Sequence, residues 1–577
     1  MILVNGLVDY ERVESDVLVL GAGGAGLRAA LEARERGASV IVVSKSLLGK
    51  AHTVMAEGGI AASVANVDSK DNWKVHFSDT IVEGAYLGDW EMVEMLVKEA
   101  PERVYELERF GALFDRTPDG KIMQRAFGAH TYRRLCHVGD KTGLEIIRTL
   151  EDRILHMDVK VMDEVVVTKI FTEKGSVSGA LGLSIREGKF IVFSCKSLII
   201  ATGGAGRLFL VTSNSWETNG DGMSLAYMAG IPLQDMEMVQ FHPTGMVHPS
   251  DAKGILVTES VRGEGGILLN SKGERFMLKY SPERKELDAR DVVARAIHKE
   301  ITEGRGTKHG GVYLDISHMG RAFILKKLPG MYDQFMSFAG IDITKDMMEV
   351  APTVHYFMGG IKVDPSTSAT SVDGIFASGE VAAGVHGANR LGGNSLADIL
   401  VFGKRAGKYA AEYAHKAAHK TINNSDIIDS IGDVTKYLNQ KGENPNPLMD
   451  RLRKEMSTHM GIIRDEDGLK TALHNIREIR SKAAYIGVSG TPKFNQGLIS
   501  CIELANMSVL AECMVLSALE RKESRGAHTR SDYPSKSRAF KGHMICGNKN
   551  GKPVLSFEPV RPMPARLARL VKEEVYV

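Results

Sequence analysis

The residues that first point to chemistry are glycines. GAGGAG at 21–26 follows an apolar run, DVLVL, at 16–20 and opens a stretch rich in Ala, Leu, Arg and Glu at 27–36. A second apolar run, SVIVV, follows at 39–43. Strand, G-x-G-x-x-G, helix and strand within about 30 residues is the context that dinucleotide binding requires. In such a turn Gly21 makes the tight bend, Gly23 lets backbone approach a pyrophosphate, and Gly26 lets helix and strand pack closely. The helix N-terminus then offers N–H groups and a positive dipole end to the phosphates. The acidic residue usual at the end of the second strand is missing, and Ser44-Lys45 stands there. The fingerprint therefore leaves nicotinamide and flavin dinucleotides both open.

Elements far downstream must help to position this turn. SLIIA at 197–201 leads into TGGAG at 202–206, and GIFAS at 374–378 leads into Gly379-Glu380. A carboxylate at Glu380, just after a strand, could hold ribose hydroxyls; the alternative is an ordinary surface acid. A chain that returns twice to one nucleotide fits a large binding domain interrupted by an insert.

The chain has 577 residues, long enough for three or four domains at roughly 100–200 residues each. Hydrophobic residues are 43% and charged residues 25%, which excludes a disordered or fibrous chain. Lys+Arg is 73 and Asp+Glu 71, a balance that gives no case for nucleic acid as partner. Residues 1–15 carry Asp9, Glu11 and Glu14 and lack the pattern of a secretory signal. No run of about 18 apolar residues is present, so no transmembrane helix is expected. Five cysteines, none spaced as C-x-x-C, argue against a disulfide framework, an iron–sulfur cluster or an attached haem in this chain. These features read as a soluble cytoplasmic chain without a redox metal. His415 and His419 have metal-binding spacing on an expected helix, but no third ligand is apparent and Lys416 and Lys420 flank them. A solvated helix face is the expectation, and Cys136 is read as structural.

AHTVMAEGG at 51–59 resembles the flavin-attachment segment of the flavoprotein subunits of succinate dehydrogenase and fumarate reductase. QFHPTG at 240–245, TESVRGEGG at 258–266, ARD at 289–291, APTVHYFMGG at 351–360 and HGANRLGGNS at 386–395 resemble the same family, in the same order. The resemblance implies FAD, joined covalently through His52. That link is expected to raise the flavin potential, which suits oxidation of an unactivated C–C bond. It implies a cofactor-binding set of Gly21, Gly23, Gly24, Gly26, Ser44, Lys45, His52, Thr53, Gly58, Gly59, Thr202, Gly203, Asp221, Glu380, Arg390, Ser395 and Leu396. It further implies a dicarboxylate substrate, with His242 and Thr258 at one carboxylate and His355 and Arg390 at the other. An Arg fork matches a carboxylate in two hydrogen bonds.

Arg290 is the implied proton-transfer residue, assisted by Glu259 and Arg262. Glu259 and Arg262 are three residues apart, so they face each other if this turn is helical. Ser395 and Leu396 precede a helix expected over 397–411, whose N-terminus would favour a negatively charged reduced flavin. The family implies an iron–sulfur subunit, often with a membrane anchor, and hence a peripheral position on the cytoplasmic face of the cell membrane.

RAFGAHTYRR at 125–134 departs from the commonest form of the family loop, and RRLCH at 133–137 is closer to aspartate oxidases. Those enzymes carry an acid near this stretch for the substrate amine, whereas this chain has Phe127. An apolar ring cannot form a salt bridge to an ammonium group, so Phe127 favours a dicarboxylate without an amine. L-aspartate oxidase remains the alternative activity, and a flavin-containing subunit without chemistry is a third reading that the intact residue set disfavours.

The expected architecture is α/β. A Rossmann-like FAD-binding domain spans 1–240 and 352–425, and an α+β capping domain spans 241–351. A helical domain at 426–534 follows, after a polar stretch near 439–447. Leu498, Ile502, Ala505 and Val509 would form its apolar stripe. The end, 535–577, is Lys-, Arg- and Pro-rich and expected to be irregular. Within it, RPMPAR at 561–566 is a possible docking surface.

Overall fold

The computed structural model describes residues 3–4, 7–8 and 10–576. The first apolar run lies within a longer strand, Tyr10–Leu20, whose C-terminal end is fully buried. It pairs in parallel with Val40–Val43 and with Phe190–Ile200, and Val40–Val43 pairs in parallel with Lys160–Met162. Strands covered on both faces read as continuous apolar runs, as these do.

Phe190–Ile200 is long enough to serve two neighbours along its other edge. Its first half pairs antiparallel with Ser176–Ser184, and its last three residues pair in parallel with Ile375–Ala377. This places the two distant strand–glycine elements beside the first one. Helices Gly24–Glu35 and Asn394–Ala414 pack on each other.

Between these parts, Val239–Met246, Met348–Phe357, Val312–Asp315 and Ile267–Leu269 form an antiparallel sheet. Its core of Val261, Leu268, Val293, Ile297, Val312, Leu314 and Met348 is separate from those of the large sheet. Its outer strand carries Gln240 and His242, and helix Arg290–Glu300 lies against that strand.

Four helices follow: Asn424–Asn439, Pro445–His459, Glu466–Lys482 and Gln496–Glu520. Leu498, Ile502 and Val509 are buried as the stripe requires, and Ala505 is half-buried. Among the described residues this last helix alone is long and apolar enough to cross a membrane, but most of it is buried within the protein.

The terminal segment departs from expectation. Gly542–Lys549 and Lys552–Pro559 form a hairpin that joins Leu233–Gln234 and Gly360–Ile361 in a sheet. Lys549 pairs with Lys552 across Asn550-Gly551, both with positive φ (53° and 77°). An Asn-Gly loop of this type matches the twist of paired strands. The charged and proline-rich composition around it masks that signal.

RPMPAR docks on its own chain: Arg561 pairs with Asp89 and Glu91, and Arg566 with Glu94. The histidine pair is also corrected. The helix stops at Ala414, before either residue. His415 Nε2 then meets Arg36 O at 2.9 Å and His419 Nδ1 meets Ser194 Oγ at 3.3 Å. All five cysteines are buried and unpaired.

Candidate active site

A cleft of about 1440 Å³, open to solvent, runs from the first glycine turn to the edge of the capping sheet. Gly21, Gly23, Gly24, Ser44, Lys45, His52, Thr53, Thr202, Gly203, Asp221, Glu380, Ser395 and Leu396 all line it. Gly21 has φ +109°, and a Cβ there would lie 2.3 Å from Ala201 O. A Cβ at Gly26, behind the turn, would lie 1.9 Å from Gly21 O. Close backbone approach at these positions is what the tight turn and the close helix–strand packing of a dinucleotide-binding unit require. Gly24 N donates to Thr53 Oγ1 (3.2 Å), tying the turn to the segment that holds His52.

Two hydroxyls in the wall, Thr202 Oγ1 and Ser378 Oγ, are buried without a hydrogen-bond partner in the described chain. Two helix N-termini, at Gly24 and Asn394, open at the cleft. Unmet donors, helix ends and bare backbone together fit a dinucleotide. Glu380 Oε1 accepts from Phe357 N (3.0 Å), and burial pushes its carboxyl up to about 7. Lys45 and Asp221 form a pair at 2.8 Å that includes Glu503 at 2.6 Å, on helix Gln496–Glu520. Burial opposes the Lys45 charge, but the two carboxylates outweigh it and hold the ammonium above its usual range.

His52 stands in a 3-10 turn, His52–Met55. Its Nε2 lies 3.2 Å from Asn214 Nδ2, and Ser215 N donates to Nδ1 (3.3 Å). Burial, then the charge of Arg207, lowers its pKa to about 4, so the imidazole is neutral at pH 7.

Next to this cleft a second group converges. Arg290 Nε donates to Glu259 Oε2 (2.8 Å), and the Arg262 guanidinium lies 3.6 Å from the same oxygen. Glu259 precedes the turn Ser260–Gly263, so the i, i+3 pair does face across a helical turn. Arg390 donates to Ser395 Oγ (3.0 Å) and lies over the Tyr356 ring at 4.3 Å. Burial and Arg290 lower the Arg390 pKa to about 9.

The rings of His242 and His355 are 5.1 Å apart. His355 Nδ1 meets Ser213 Oγ at 2.9 Å, and Thr258 Oγ1 meets Ser260 Oγ at 3.3 Å. Burial drives both imidazoles well below their ordinary pKa, reinforced at His242 by Arg290 and at His355 by His242. Phe127 is buried between Gly58 and Gly392, with Arg290 5.8 Å above its ring. Gly58 thus packs against Phe127, and Gly59 against Cys136 O and the side chains of Leu135 and His137, at the side of the cleft.

Gln240 joins the two arginines, a role that its sequence context does not single out. Its Oε1 accepts from Arg290 Nη1 (3.2 Å) and Arg390 Nη2 (3.0 Å), while its Nε2 donates to Asn389 Oδ1 and Arg390 O, each at 2.8 Å. Its place in QFHPTG is the only available signal. Glu57 is a second residue that sequence reasoning misses. Burial, then Asp140, holds its carboxyl well above the usual range, while a hydrogen bond from Thr258 opposes this. The loop that carries Arg390 is braced from behind, where Ala527 N donates to Ala388 O (2.9 Å).

A dinucleotide cleft of this fold beside a buried cluster of arginines and histidines defines an FAD-dependent oxidoreductase. Residues 16–396 match the FAD binding domain family, and residues 449–573 match the fumarate reductase flavoprotein C-terminal family. Over 544 residues the chain is 46% identical to one of the subunits of the CoM/CoB fumarate reductase of Methanothermobacter marburgensis, covering 94% of this chain and 98% of that one. Among solved structures it resembles Mycobacterium smegmatis Sdh1 in complex with UQ1 (TM-score 0.88, 48% identity, 96% of each chain). It also resembles FrdA of Escherichia coli quinol fumarate reductase (TM-score 0.92, 34% identity, 98% of this chain and 99% of that chain). The chain belongs to the family of succinate dehydrogenase and fumarate reductase flavoprotein subunits.

Proposed function

We propose that this enzyme interconverts succinate and fumarate, carries FAD covalently on His52, and exchanges electrons with an iron–sulfur subunit. The observation that supports this most is the Gln240 bridge, which sets two guanidinium groups, Arg290 and Arg390, beside two buried imidazoles. Such a pocket suits a short molecule with an anionic group at each end. His242 and Thr258 would hold one carboxylate, and His355 and Arg390 the other. Phe127 would close the pocket with an apolar face.

The flavin, when bound, supplies the hydride acceptor or donor. Arg290 manages the proton. An arginine alone keeps its proton at any ordinary pH. Here Glu259 and Arg262 extend it into a buried chain along which a proton can be replaced. The neutral imidazole of His52 keeps one unprotonated ring nitrogen, as bond formation to a flavin would need.

The scattered cysteines supply no cluster-ligand pattern in the sequence, so electrons would pass to or from a separate iron–sulfur subunit, with or without a membrane anchor. This would place the protein peripherally on the cytoplasmic face of the membrane. The test is dye-linked assay of the purified protein in both directions, with L-aspartate as control. Turnover of succinate and fumarate is expected. Turnover of L-aspartate alone would establish the oxidase reading, which Phe127 disfavours because its ring cannot form a salt bridge to an ammonium group.

A further inference from the structure

The Gln240 bridge continues outward. Gln240 Nε2 donates to Asn389 Oδ1 (2.8 Å), and Asn389 Nδ2 donates both to Glu83 Oε1 (2.8 Å) and to Asp291 Oδ1 (2.9 Å). A continuous hydrogen-bonded chain thus joins Arg290 to two carboxylates that share one amide nitrogen. Gln240 and Asn389 are buried, and Glu83 and Asp291, at the outer end of the chain, are mostly buried. Asp291 pairs with Arg295 at 2.8 Å, but among the described residues no basic side chain forms an ion pair with Glu83.

The groups facing Glu83 are mostly acidic. Helix Arg290–Glu300 and its approach present Asp291, Arg290 and Asp288, and the capping part adds Glu259. On its own helix, Asp79 is taken by Arg134 and Thr131. From the C-terminal side, Arg525 binds Ala85 O, and Lys541 lies over the Tyr86 ring. The 386–395 loop brings His386, whose backbone faces Gly84. Burial, then Asp291, holds the Glu83 carboxyl well above the usual range.

We propose that Glu83, which shares the Asn389 amide with Asp291 and has no basic ion-pair partner among the described residues, holds a proton, and that it is a positioning residue whose charge state governs how tightly Arg290 keeps its own proton. The inference rests on the proton-transfer role proposed for Arg290. While Glu83 holds its proton, it presents no charge toward Arg290. Once that proton leaves, it presents one negative charge. A nearby negative charge favours the charged guanidinium and makes donation to substrate harder. Fumarate reduction therefore falls as pH rises through the titration of Glu83. Asn389 and Gln240 hold the geometry and carry no proton themselves.

The test uses the holoenzyme in wild-type, Glu83→Gln and Glu83→Asp forms. Two readouts are taken: the pH profile of kcat for fumarate reduction with a reduced viologen dye, and the infrared carboxyl band of Glu83 in H2O and D2O, resolved as the difference between wild type and Glu83→Gln because Glu57 and Glu380 also favour the protonated form. The wild type is expected to show the band and a descending alkaline limb. Glu83→Gln preserves the acceptor for Asn389 but cannot ionise, so both features are lost while KM for fumarate stays within about twofold. Glu83→Asp is expected to restore the limb, which a merely structural role would not do. An unchanged limb in Glu83→Gln, or the same carboxyl band in wild type and Glu83→Gln, overturns the proposal. If the wild type turned over neither succinate nor fumarate, the functional reading would fail separately, and the infrared comparison would still decide whether Glu83 holds the proton.

Discussion

Glu259 Oε2 stands 2.8 Å from Arg290 Nε, and both side chains are buried. Burial alone would raise a carboxyl, but Arg290 and then Arg262 outweigh it and hold Glu259 at about 2. A value below that of the unfolded chain means that the contribution to stability is present above about pH 4.5 and is lost as pH falls toward 2. Glu259→Gln leaves two buried guanidinium groups without their counter-charge. We expect turnover to be lost and stability to drop by about 3–5 kcal/mol near neutral pH, with the gap to wild type narrowing in acid. Thermal melts from pH 3 to 8 test this, and a constant gap across that range would contradict it.

Arg290→Ala should lower kcat by about 10²–10⁴-fold, the span usual for loss of a positioned acid or base. The bound flavin should remain, because Arg290 is not among the residues that line the cofactor cleft. Steady-state rates and the visible spectrum of the purified variant check both halves.

His52→Ala should convert tethered flavin into flavin released by acid precipitation. Mass spectrometry of the wild-type peptide containing His52 should show the flavin mass. Wild-type protein that lost all its colour on precipitation would rule out the covalent bond.

Gln240→Leu removes the oxygen that Arg290 and Arg390 share and leaves two like charges facing each other across an apolar group. Hydrogen bonds to charged groups are worth about 1.5–3 kcal/mol, so kcat/KM for fumarate should fall by about 10–100-fold. Retention of wild-type kcat/KM would show that the bridge does not matter for catalysis.

Glu380→Gln probes the cofactor cleft from the other side. The folded carboxyl is pushed up to about 7 by burial, so ionising it above that pH costs stability in the cofactor-free chain. The folded form holds a proton that the unfolded chain releases between about pH 4.5 and 7, and stability therefore declines as pH rises through that window. The variant should raise the stability of the cofactor-free protein by about 2 kcal/mol at pH 8, and by less at pH 5. It should also bind FAD more weakly if the carboxylate receives ribose hydroxyls. Melts of the cofactor-free protein at the two pH values, with a flavin titration, measure both effects.

Much of the nucleotide cleft was legible because its signals are local. The turn at 21–26 needs only a strand before it, a helix after it, and glycine where a Cβ would strike backbone 1.9–2.3 Å away. Glu380 could be picked out for a similar reason, since a strand ends just before it. The terminal hairpin shows how composition can hide a local signal: Asn550-Gly551 marks the turn, but the charged residues around it suggest irregular chain. His415 and His419 show the reverse error, a regular spacing extended past the point where the helix stops at Ala414.

From residue order alone came the phosphate-cradling turn, the family motifs, and the identity of the arginines and histidines expected to do chemistry. That Gln240 ties Arg290 to Arg390, and that Asn389 carries the same chain out to Glu83, was decided by the tertiary structure. These partners lie 50, 150 and 306 positions apart. A hydrogen bond needs its atoms within about 3 Å. Over such separations, that distance is set by how an inserted sheet, a helix end and a remote loop pack together, and residue spacing does not encode that packing.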